Sequence, residues 1–363
     1  MSRIVDKPKK VIVALSGGVD SSVAAILLKK QGYQVEGIFM RLGIATDNES
    51  EKNAQEVARK IGIKFHIVNL SKEFKKRIID YFIFEYKKGR TPNPCVMCNK
   101  EIKFGILMDR ALKNKTDFIA TGHYVKSQKF VKSVKSVKSK VAYKLLKAKD
   151  INKDQSYFLY NLNQKTLRRC LFPLGEYTKD EVRKIVGKYK FKIQNQKESQ
   201  EICFIQDKYY GDFLRKYLKL ITGEIVDENN NVLGEHKGLF LYTIGQRRDI
   251  GIGGTGPYYV IEMNRRKNQL IVSCNKNDRN LFLKELIVKK VNWISDKVPE
   301  LPIRIKAKIR YRMEEFSAVV DRENGKYIVK FSKPQRAIMK GQSVVFYKRN
   351  EVIGGGIIRK VVG

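Results

Sequence analysis

A glycine pair followed by an aspartate and two serines is the part of this sequence best suited to holding phosphate. The run Leu15-Ser16-Gly17-Gly18-Val19-Asp20-Ser21-Ser22 lies between two apolar segments. Residues 11–15 predict a buried parallel strand, and the apolar periodicity of residues 23–28 predicts the helix that follows it. Glycine has no Cβ, so the chain can turn sharply and approach a ligand closely. The aspartate and the serines are placed to cap free N–H groups at the helix start, where the positive helix end favours anions.

The pattern Ser-Gly-Gly-x-Asp-Ser-Ser is more specific than a glycine pair alone, which is typical of an ordinary strand-to-helix turn. It has neither the lysine of the Walker loop nor the third glycine of the dinucleotide fingerprint. It resembles the PP-loop of ATP pyrophosphatases. Those enzymes bind the triphosphate of ATP, release pyrophosphate and transfer AMP to an oxygen of a second substrate.

Two cysteines in a proline-bounded loop are the second candidate for chemistry. Cys95 and Cys98 lie in the run Arg-Thr-Pro-Asn-Pro-Cys-Val-Met-Cys, and residues 101–113 have a helical pattern. We therefore expect both thiols where a rigid loop enters a helix N-terminus, a setting that lowers a thiol pKa, and Lys100 and Lys103 would act in the same direction. Half of a zinc site is disfavoured because no second Cys-x-x-Cys or His pair follows. A thioredoxin-type pair is disfavoured because the loop comes after the phosphate-binding run.

The remaining cysteines have apolar neighbours. Cys170, Cys203 and Cys274 would each, taken alone, be interpreted as buried structural residues, and Cys170 and Cys274 keep that interpretation. Five cysteines are too few and too unevenly spaced for a disulfide scaffold. This usage, together with a polar segment at residues 1–10 that has no signal-peptide core, predicts a cytoplasmic protein.

The elements around these residues alternate between strand and helix. Strand patterns at residues 35–40 and 65–68 flank a helical pattern at 53–61, which predicts a doubly wound parallel sheet. Ligands of such sheets bind at the carboxyl ends of the strands. Met40 ends one strand there, and a further strand ends at Gly122 and His123. Gly122 would allow close approach of a ligand, and His123 would project from the rim.

The length of 363 residues leaves room for two or three domains. We predict an α/β domain at residues 1–206 with the doubly wound parallel sheet and PP-loop, a small β-rich central domain at 207–278, and a C-terminal antiparallel β-barrel at 279–363. Frequent glycine and an arginine pair mark the central domain. Alternating apolar and polar residues with turns such as Asn324-Gly325 mark the barrel.

The charge balance points to a polyanionic partner. Lys and Arg number 74 against 37 Asp and Glu, a net charge of +37, and neutralised phosphates release counterions. A lysine-rich proteome would account for part of this excess, because lysine occurs in nearly every segment. The Val-Lys-Ser repeat at residues 131–140 suits neither helix nor strand and predicts a mobile basic hairpin tip or insertion. No apolar run is long enough to span a membrane.

With these motifs together, the whole chain resembles the bacterial tRNA-specific 2-thiouridylases, which convert the wobble uridine of certain tRNAs to 2-thiouridine. The resemblance implies an adenine nucleotide α-hydrolase-like fold for the first domain. It implies ATP-binding positions at Ala14, Leu15, Ser16, Gly17, Gly18, Val19, Asp20, Ser21, Met40 and Gly122. It implies contact with the target base by Asn93, Pro94 and Cys95. It implies that the tRNA is touched, or its site shaped, by His123, Lys153, Asp154, Gln155, Arg310, Tyr311 and Gln342.

The same resemblance implies that Cys98 is the nucleophilic cysteine and that Cys203 carries a persulfide. Adenylation turns the uridine 2-oxygen into a good leaving group, with Mg²⁺ offsetting the charge of pyrophosphate and Asp20 as a candidate ligand. Sulfur then arrives from a low-pKa cysteine, and the two thiols can close as a disulfide that a reductant reopens. ATP and Mg²⁺ are the implied cofactors. The implied partners are the anticodon arm of tRNA and a persulfide donor protein, either a sulfur relay protein or a cysteine desulfurase.

Cys95 departs from the family pattern, because many members have Asp at this position. A carboxylate role there is therefore in question. Three cysteines (95, 98 and 203) could instead converge on an iron–sulfur cluster. Two other functions also stay open: another PP-loop adenylating enzyme, which would not need Cys98 and Cys203, and a non-enzymatic basic RNA-binding protein, which would leave the PP-loop idle.

Overall fold

The computed structural model describes residues 8–113, 115–134, 137–195, 202–205, 210–253 and 256–362. They form three parts in chain order: an α/β part with a parallel sheet, a small β-rich part and an antiparallel barrel. This confirms the predicted fold class. The boundaries at residues 206 and 278 stay predictions. No helix among the described residues is both long and apolar enough to cross a membrane.

The first part is built on a five-stranded parallel sheet with the strand order β3-β2-β1-β4-β7. Its strands are β1 (Lys10–Ala14), β2 (Gln34–Arg41), β3 (Lys64–Asn69), β4 (Phe118–Ala120) and β7 (Cys170–Leu171). The chain winds outward from β1 in one direction to β3 and then returns to β4 on the other side. The strand order therefore reverses between β1 and β4, which is where open α/β sheets bind their ligands.

Helices cover both faces of this sheet. They are α1 (Val19–Lys30), α2 (Asp47–Ile61), α3 (Ser71–Phe74), α4 (Asp80–Lys87), α5 (Pro94–Cys98), α6 (Met108–Lys113), α7 (Gln164–Leu167), α8 (Lys179–Gly187) and α9 (Tyr210–Arg215). Short 3₁₀ turns lie at Ser156–Leu159, Lys192–Asn195, Leu239–Leu241 and Arg279–Leu281. The helix predicted over residues 53–61 begins earlier, at Asp47.

Strand β1 is buried on both faces because its side chains alternate between two cores. Val11 and Val13 pack with α1, α2 and α8, whereas Ile12 and Ala14 pack with the helical segments on the opposite face. Residues of a strand point alternately to either side. This explains why the segment reads as a continuous apolar run.

Two helical stretches of this first part contain π-helical turns. Lys75–Ile79 joins α3 to α4, and Asn99–Leu107 joins α5 to α6. A π-helix is wider than an α-helix and often occurs at functional sites. Gly105 permits the second of these, because a Cβ at this position would lie 2.8 Å from the carbonyl oxygen of Lys100.

The central part contains a four-stranded sheet with the order β10-β11-β8-β9. Its strands are β8 (Gly223–Val226), β9 (Val232–His236), β10 (Tyr259–Asn264) and β11 (Gln269–Ser273). Arg247 and Arg248 lie exposed on a connection in this part, as expected for a segment that presents arginine to a partner.

The C-terminal part is a closed barrel of six antiparallel strands. They are β12 (Phe282–Trp293), β13 (Ile303–Lys308), β14 (Phe316–Glu323), β15 (Lys326–Arg336), β16 (Ser343–Lys348) and β17 (Glu351–Val362). The order is β12-β15-β14-β13-β16-β17, and pairing of β12 with β17 closes the ring. Closure pairs β17 with β12 from Gly354 onward and leaves its first residues unpaired by β12.

A hairpin from the first part extends this barrel. Its strands β5 (Lys126–Val134) and β6 (Val137–Leu146) pair with each other, and β6 pairs with β17. The prediction that the Val-Lys-Ser repeat suits no strand is wrong, because most of it lies in these strands. Residues 135 and 136 of the repeat lie outside the described residues. Cross-strand pairing over the whole hairpin outweighs the irregular side-chain pattern of the repeat.

Candidate active site between the parallel sheet and the barrel

The PP-loop lies at the point where the strand order reverses. Residues 15–18 connect β1 to α1, and Gly18 is the residue that precedes the first turn of α1. The N–H groups of that turn have no partner within the helix. Together with the positive end of α1 they are suited to an anion, and the anion site stays a prediction.

The serines of the loop do not cap these N–H groups. The hydroxyls of Ser21 and Ser22 donate instead to the carbonyl oxygen of Gly18, at 3.1 and 2.9 Å. The Ser21 hydroxyl oxygen also accepts from the backbone N–H of Ser16 at 3.1 Å. Predicted capping by Asp20, Ser21 and Ser22 is therefore wrong. The hydroxyls of the two serines form hydrogen bonds within the loop instead, and the N–H groups at the start of α1 stay available for a ligand.

The two glycines of the loop have different roles. Gly17 has φ +74°, and a Cβ there would lie 2.1 Å from the carbonyl oxygen of Ser50. Gly18 has φ −104° and ψ 166°, which suit any residue, and the nearest atom to its Cβ position is the Ser16 hydroxyl at 3.6 Å. Gly17 is therefore required by the fold. A side chain at Gly18 would project into the open space beside the first turn of α1, which we call the phosphate cradle.

Asp20 is held by two residues that the sequence did not single out. Its Oδ1 accepts from the Tyr124 hydroxyl at 2.8 Å and from the Lys179 ammonium at 2.7 Å. Lys179 is the first residue of α8, which begins with Thr178 as its cap and a capping box to Glu181. The cap was visible in the sequence. The pairing of Lys179 with Asp20 was not visible in the sequence, because it joins positions 159 residues apart.

Gly122 and Met40 lie where the sequence predicts, beyond β4 and near the end of β2. A Cβ on Gly122 would lie 2.7 Å from the backbone of Asp20 and Ser21. The close approach at this glycine is therefore made to the start of α1. Met40 is half-buried against the clusters on both sides of the loop that bears Cys95 and Cys98. Their contact with ATP stays a prediction.

The cysteine loop enters α5 as predicted. Asn93 caps the helix by accepting from the N–H of Val96 at 3.2 Å, and Pro94 occupies the first turn. The predicted lowering of the thiol pKa is wrong. Burial raises the pKa of Cys95 and of Cys98 to about 11, although Lys103 acts to lower both. Desolvation of the two buried sulfurs outweighs the positive potential at the start of this helical stretch.

Cys203 lies beside these two thiols. It belongs to residues 202–205, which the structure describes without the residues on either side. The neighbouring Ile202 and Phe204 pack in the same apolar cluster as Cys98. Cys203 keeps solvent exposure, so the buried interpretation of an apolar-flanked cysteine fails here. Enough protein still surrounds the sulfur that desolvation raises its pKa to about 11, with Cys98 as the next cause.

All five cysteines are free thiols. Cys170 is buried in the core, as predicted, whereas Cys274 is exposed, contrary to prediction. Among the residues that the structure describes, no three His, Cys, Asp or Glu side chains form a group that could hold a metal ion.

His123 is buried rather than projecting from the rim, contrary to prediction. Its Nδ1 lies 2.7 Å from the Thr121 hydroxyl, and its ring packs 6.0 Å from the ring of Phe104. Burial lowers the pKa of His123 well below its usual value, and Lys103 contributes in the same direction. The imidazole is therefore neutral at physiological pH. Lys103 acts on His123 and on all three neighbouring thiols.

Residues 153–155 lie next to Tyr124, the residue whose hydroxyl donates to Asp20. The Asp154 carboxylate is buried and accepts from the Ser156 hydroxyl at 2.6 Å and from the Ala148 N–H at 3.0 Å. Gln155 exchanges hydrogen bonds with the backbone of Tyr124, through its side chain and its own N–H. These contacts give Asp154 and Gln155 a positioning role. Contact of Lys153 with tRNA stays a prediction.

Barrel residues meet the cysteine loop directly. The Lys340 carbonyl accepts from the N–H of Thr91 at 2.9 Å, and the Gln342 amide donates to the carbonyl of Pro92 at 3.5 Å. The ring of Tyr311 packs 4.4 Å from that of Phe158.

Arg310 is largely buried and donates to the carbonyl of Ala337. Its charge reaches Tyr157, which also contacts Asn93. Gln342 directly, and Arg310 through Tyr157, therefore lie close to the loop that bears Cys95 and Cys98.

Family models cover nearly the whole chain. The model for the tRNA methyl transferase HUP domain matches residues 9–207. The model for the tRNA methyl transferase PRC-barrel domain matches residues 211–274, and that for the aminomethyltransferase β-barrel domain matches residues 283–358. Together they follow the three parts of the fold.

Among solved structures, a 4-thiouridine synthetase in complex with RNA and ATP aligns with a TM-score of 0.38 at 18% identity, over 57% of this chain and 50% of that one. Curated relatives match over almost their full length. The tRNA-specific 2-thiouridylase MnmA of Clostridioides difficile (strain 630) is 44% identical over 97% of this chain and 98% of its own. The tRNA-specific 2-thiouridylase MnmA 2 of Clostridium tetani (strain Massachusetts / E88) is 45% identical, over 96% of this chain and 98% of its own. The chain belongs to the tRNA-specific 2-thiouridylase family.

Proposed function

We propose that this enzyme converts the wobble uridine of tRNA to 2-thiouridine, first adenylating the base with ATP and then transferring sulfur from a persulfide on Cys203. The observation that carries the proposal is the continuity between the PP-loop and the thiols. Gly122 lies against the start of α1. The charge of Lys103 acts on the adjacent His123 and also on Cys95, Cys98 and Cys203. Activation and sulfur delivery would therefore occur in one site. The proposal includes a cytoplasmic location, which is consistent with a tRNA-modifying enzyme.

The PP-loop supports the activation stage. The open cradle at Gly18 and the N–H groups of α1 suit the phosphates of ATP. Asp20 Oδ1 is occupied by Tyr124 and Lys179, whereas Oδ2 accepts no hydrogen bond from a described residue, and the side chain is 37% exposed. One available carboxylate oxygen fits Mg²⁺ held mainly by phosphates and water. When bound, Mg²⁺ would offset the charge of the leaving pyrophosphate.

Adenylation makes the 2-oxygen of uridine a leaving group. That oxygen forms a bond to the α-phosphorus of ATP, the bond from this phosphorus to the bridging oxygen breaks, and pyrophosphate departs. The proton on N3 of the base is lost to solvent. A wobble base lies in a loop, so turning it into a pocket costs less unstacking energy than for a paired base. The loop at Asn93, Pro94 and Cys95, which barrel residues contact, is suited to line that pocket.

Sulfur transfer uses two thiols. The terminal sulfur of the Cys203 persulfide attacks C2 of the base, the C2–O bond breaks, and AMP leaves with the bonding electrons. The Cys98 thiolate then attacks the Cys203 sulfur, and the bond from that sulfur to the transferred one breaks. The base keeps the sulfur as 2-thiouridine and regains a proton at N3. The two thiols have lost two electrons to the sulfane sulfur and form a disulfide, which an external dithiol reduces.

Phosphate contacts would provide most of the affinity for tRNA. The net charge of +37 and the exposed pair Arg247 and Arg248 favour backbone binding that does not depend on sequence. The base is then selected by the pocket rather than by the charged surface.

Pyrophosphate release tests the proposal. We expect release from ATP only when a tRNA with a wobble uridine is present, and a transcript with cytidine at that position is the matched control. A persulfide donor should then yield 2-thiouridine in the first transcript alone. Release stimulated by a small molecule instead of tRNA would favour another PP-loop adenylating enzyme, and tRNA binding without any release would favour a non-enzymatic RNA-binding protein.

A further inference from the structure

The π-helical turn Asn99–Leu107 places one cation between two apolar clusters. Ile102 is fully buried in the cluster that contains Cys98 and the apolar neighbours of Cys203. Phe104 is buried in the other cluster, where its ring meets His123. Lys103 lies between them in the chain and is half-buried. Its side chain therefore starts at the junction where the thiols and His123 meet.

This ammonium has no carboxylate partner among the described residues. The nearest acidic side chain on the same turn, Glu101, pairs with Arg77 at 2.9 Å. Burying part of a charge without a counter-charge is unfavourable. A half-buried cation whose charge acts on three thiols and on a neutral imidazole is therefore well placed for an anion that forms there during the reaction.

We propose that Lys103 is a positioning residue for sulfur transfer, holding its ammonium toward Cys98 and Cys203 so that the reacting thiolate or persulfide anion is stabilised. This inference rests on the proposed function, because that function requires anionic sulfur at both cysteines. No bond forms to Lys103. Its contribution is to favour loss of the thiol proton to solvent and to hold the resulting anion in place.

Among the described charged groups that act on the thiols, Lys103 is the one that favours their ionisation. The groups that act on them from the neighbouring elements are Lys103, the thiols themselves and Asp47 of α2. Asp47 and the thiols oppose ionisation. Lys103 is the cation that favours ionisation at all three, among the groups that the structure describes. Lys100, on the same π-helical turn, is exposed and does not act on them.

Alkylation of the full-length protein without tRNA or ATP tests the inference. Reduced protein is treated with iodoacetamide between pH 7 and 9, and modification of each cysteine is followed by peptide mass spectrometry. Below the pKa, the rate is proportional to the thiolate fraction. Loss of an opposite charge close to a thiol raises its pKa by about one unit or more, so Lys103→Met should slow alkylation of Cys98 and Cys203 about tenfold at each pH.

The controls separate charge from structure. Lys103→Arg should stay within about threefold of the wild-type rate, because it keeps the charge. Lys100→Met removes a charge from the same turn and should leave the alkylation rates of Cys98 and Cys203 unchanged. Lys103→Met should leave the alkylation rate of the exposed Cys274 unchanged. Lys103→Gln serves as a second uncharged variant if Lys103→Met loses its fold.

Wild-type alkylation rates in both uncharged variants would overturn the inference, and so would an equal loss in Lys100→Met. This result is independent of the proposed function. If wild-type protein failed to thiolate tRNA with a persulfide donor, the proposed function would fail while the alkylation difference still stood.

Discussion

Replacing Gly18 by valine should weaken ATP binding while the fold stays intact, whereas the same change at Gly17 should destabilise the fold itself. The backbone at Gly18 suits any residue, and the nearest atom to an added Cβ is 3.6 Å away. Losing a glycine stabilises a protein by about 0.4–1 kcal/mol through the unfolded state, and at Gly18 the poorer capping of α1 by valine offsets this gain. At Gly17 a left-handed conformation costs about 1–2 kcal/mol for a residue with a Cβ. The 2.1 Å approach to Ser50 adds a clash with backbone.

Calorimetry on the full chain measures both effects. We expect Gly18→Val to unfold close to the wild-type temperature, with tRNA affinity unchanged and ATP affinity at least about tenfold weaker, or about 1.4 kcal/mol. Gly17→Val should lose more than about 2 kcal/mol, which lowers the unfolding temperature by several degrees. Normal ATP affinity in a folded Gly18→Val protein would refute the assignment of the phosphate cradle.

Three further outcomes follow from the site. Binding of tRNA should weaken at least about tenfold between roughly 50 and 200 mM salt, as several phosphate contacts require; a flat salt response by filter binding would contradict this. Because burial raises the pKa of Cys98 to about 11, the thiolate fraction increases with pH, so single-turnover sulfur transfer from preloaded persulfide should become about tenfold faster per unit from pH 7 to 9. A rate independent of pH would show that the reacting thiol is already ionised. Cys170→Ser and Cys274→Ser should retain wild-type thiolation rates, and loss of thiolation in a folded Cys274→Ser protein would place a third cysteine in the chemistry.

Local patterns predicted the parallel sheet and the loop after β1. The apolar run of β1 and the glycine pair of the PP-loop are properties of consecutive residues. The two-sided burial of β1 follows directly from that run. The barrel strands were visible for the same reason, because alternation has a period of two.

Features that depend on distant contacts were not predictable. Apolar spacing does not distinguish an α-helix from the π-helical turn Asn99–Leu107, which depends on the packing of Ile102 and Phe104 into different clusters. The direction of the thiol pKa shift depends on how deeply the loop is buried, and the flanking lysines alone suggested the opposite sign. Pairing of Lys179 with Asp20 and of β6 with β17 joins segments far apart in the chain.

The most direct test of the account loads Cys203 with a radiolabelled persulfide sulfur in iron-free protein and follows one turnover with ATP and tRNA. The label should move into 2-thiouridine in proportion to the protein loaded. Cys98→Ser and Cys203→Ser should each yield no thiolated tRNA, while Cys203→Ser should still release pyrophosphate when tRNA is present. Thiolation that appears only after iron is restored, with the labelled sulfur left on the protein, would contradict the persulfide mechanism and favour a cluster held by the three cysteines.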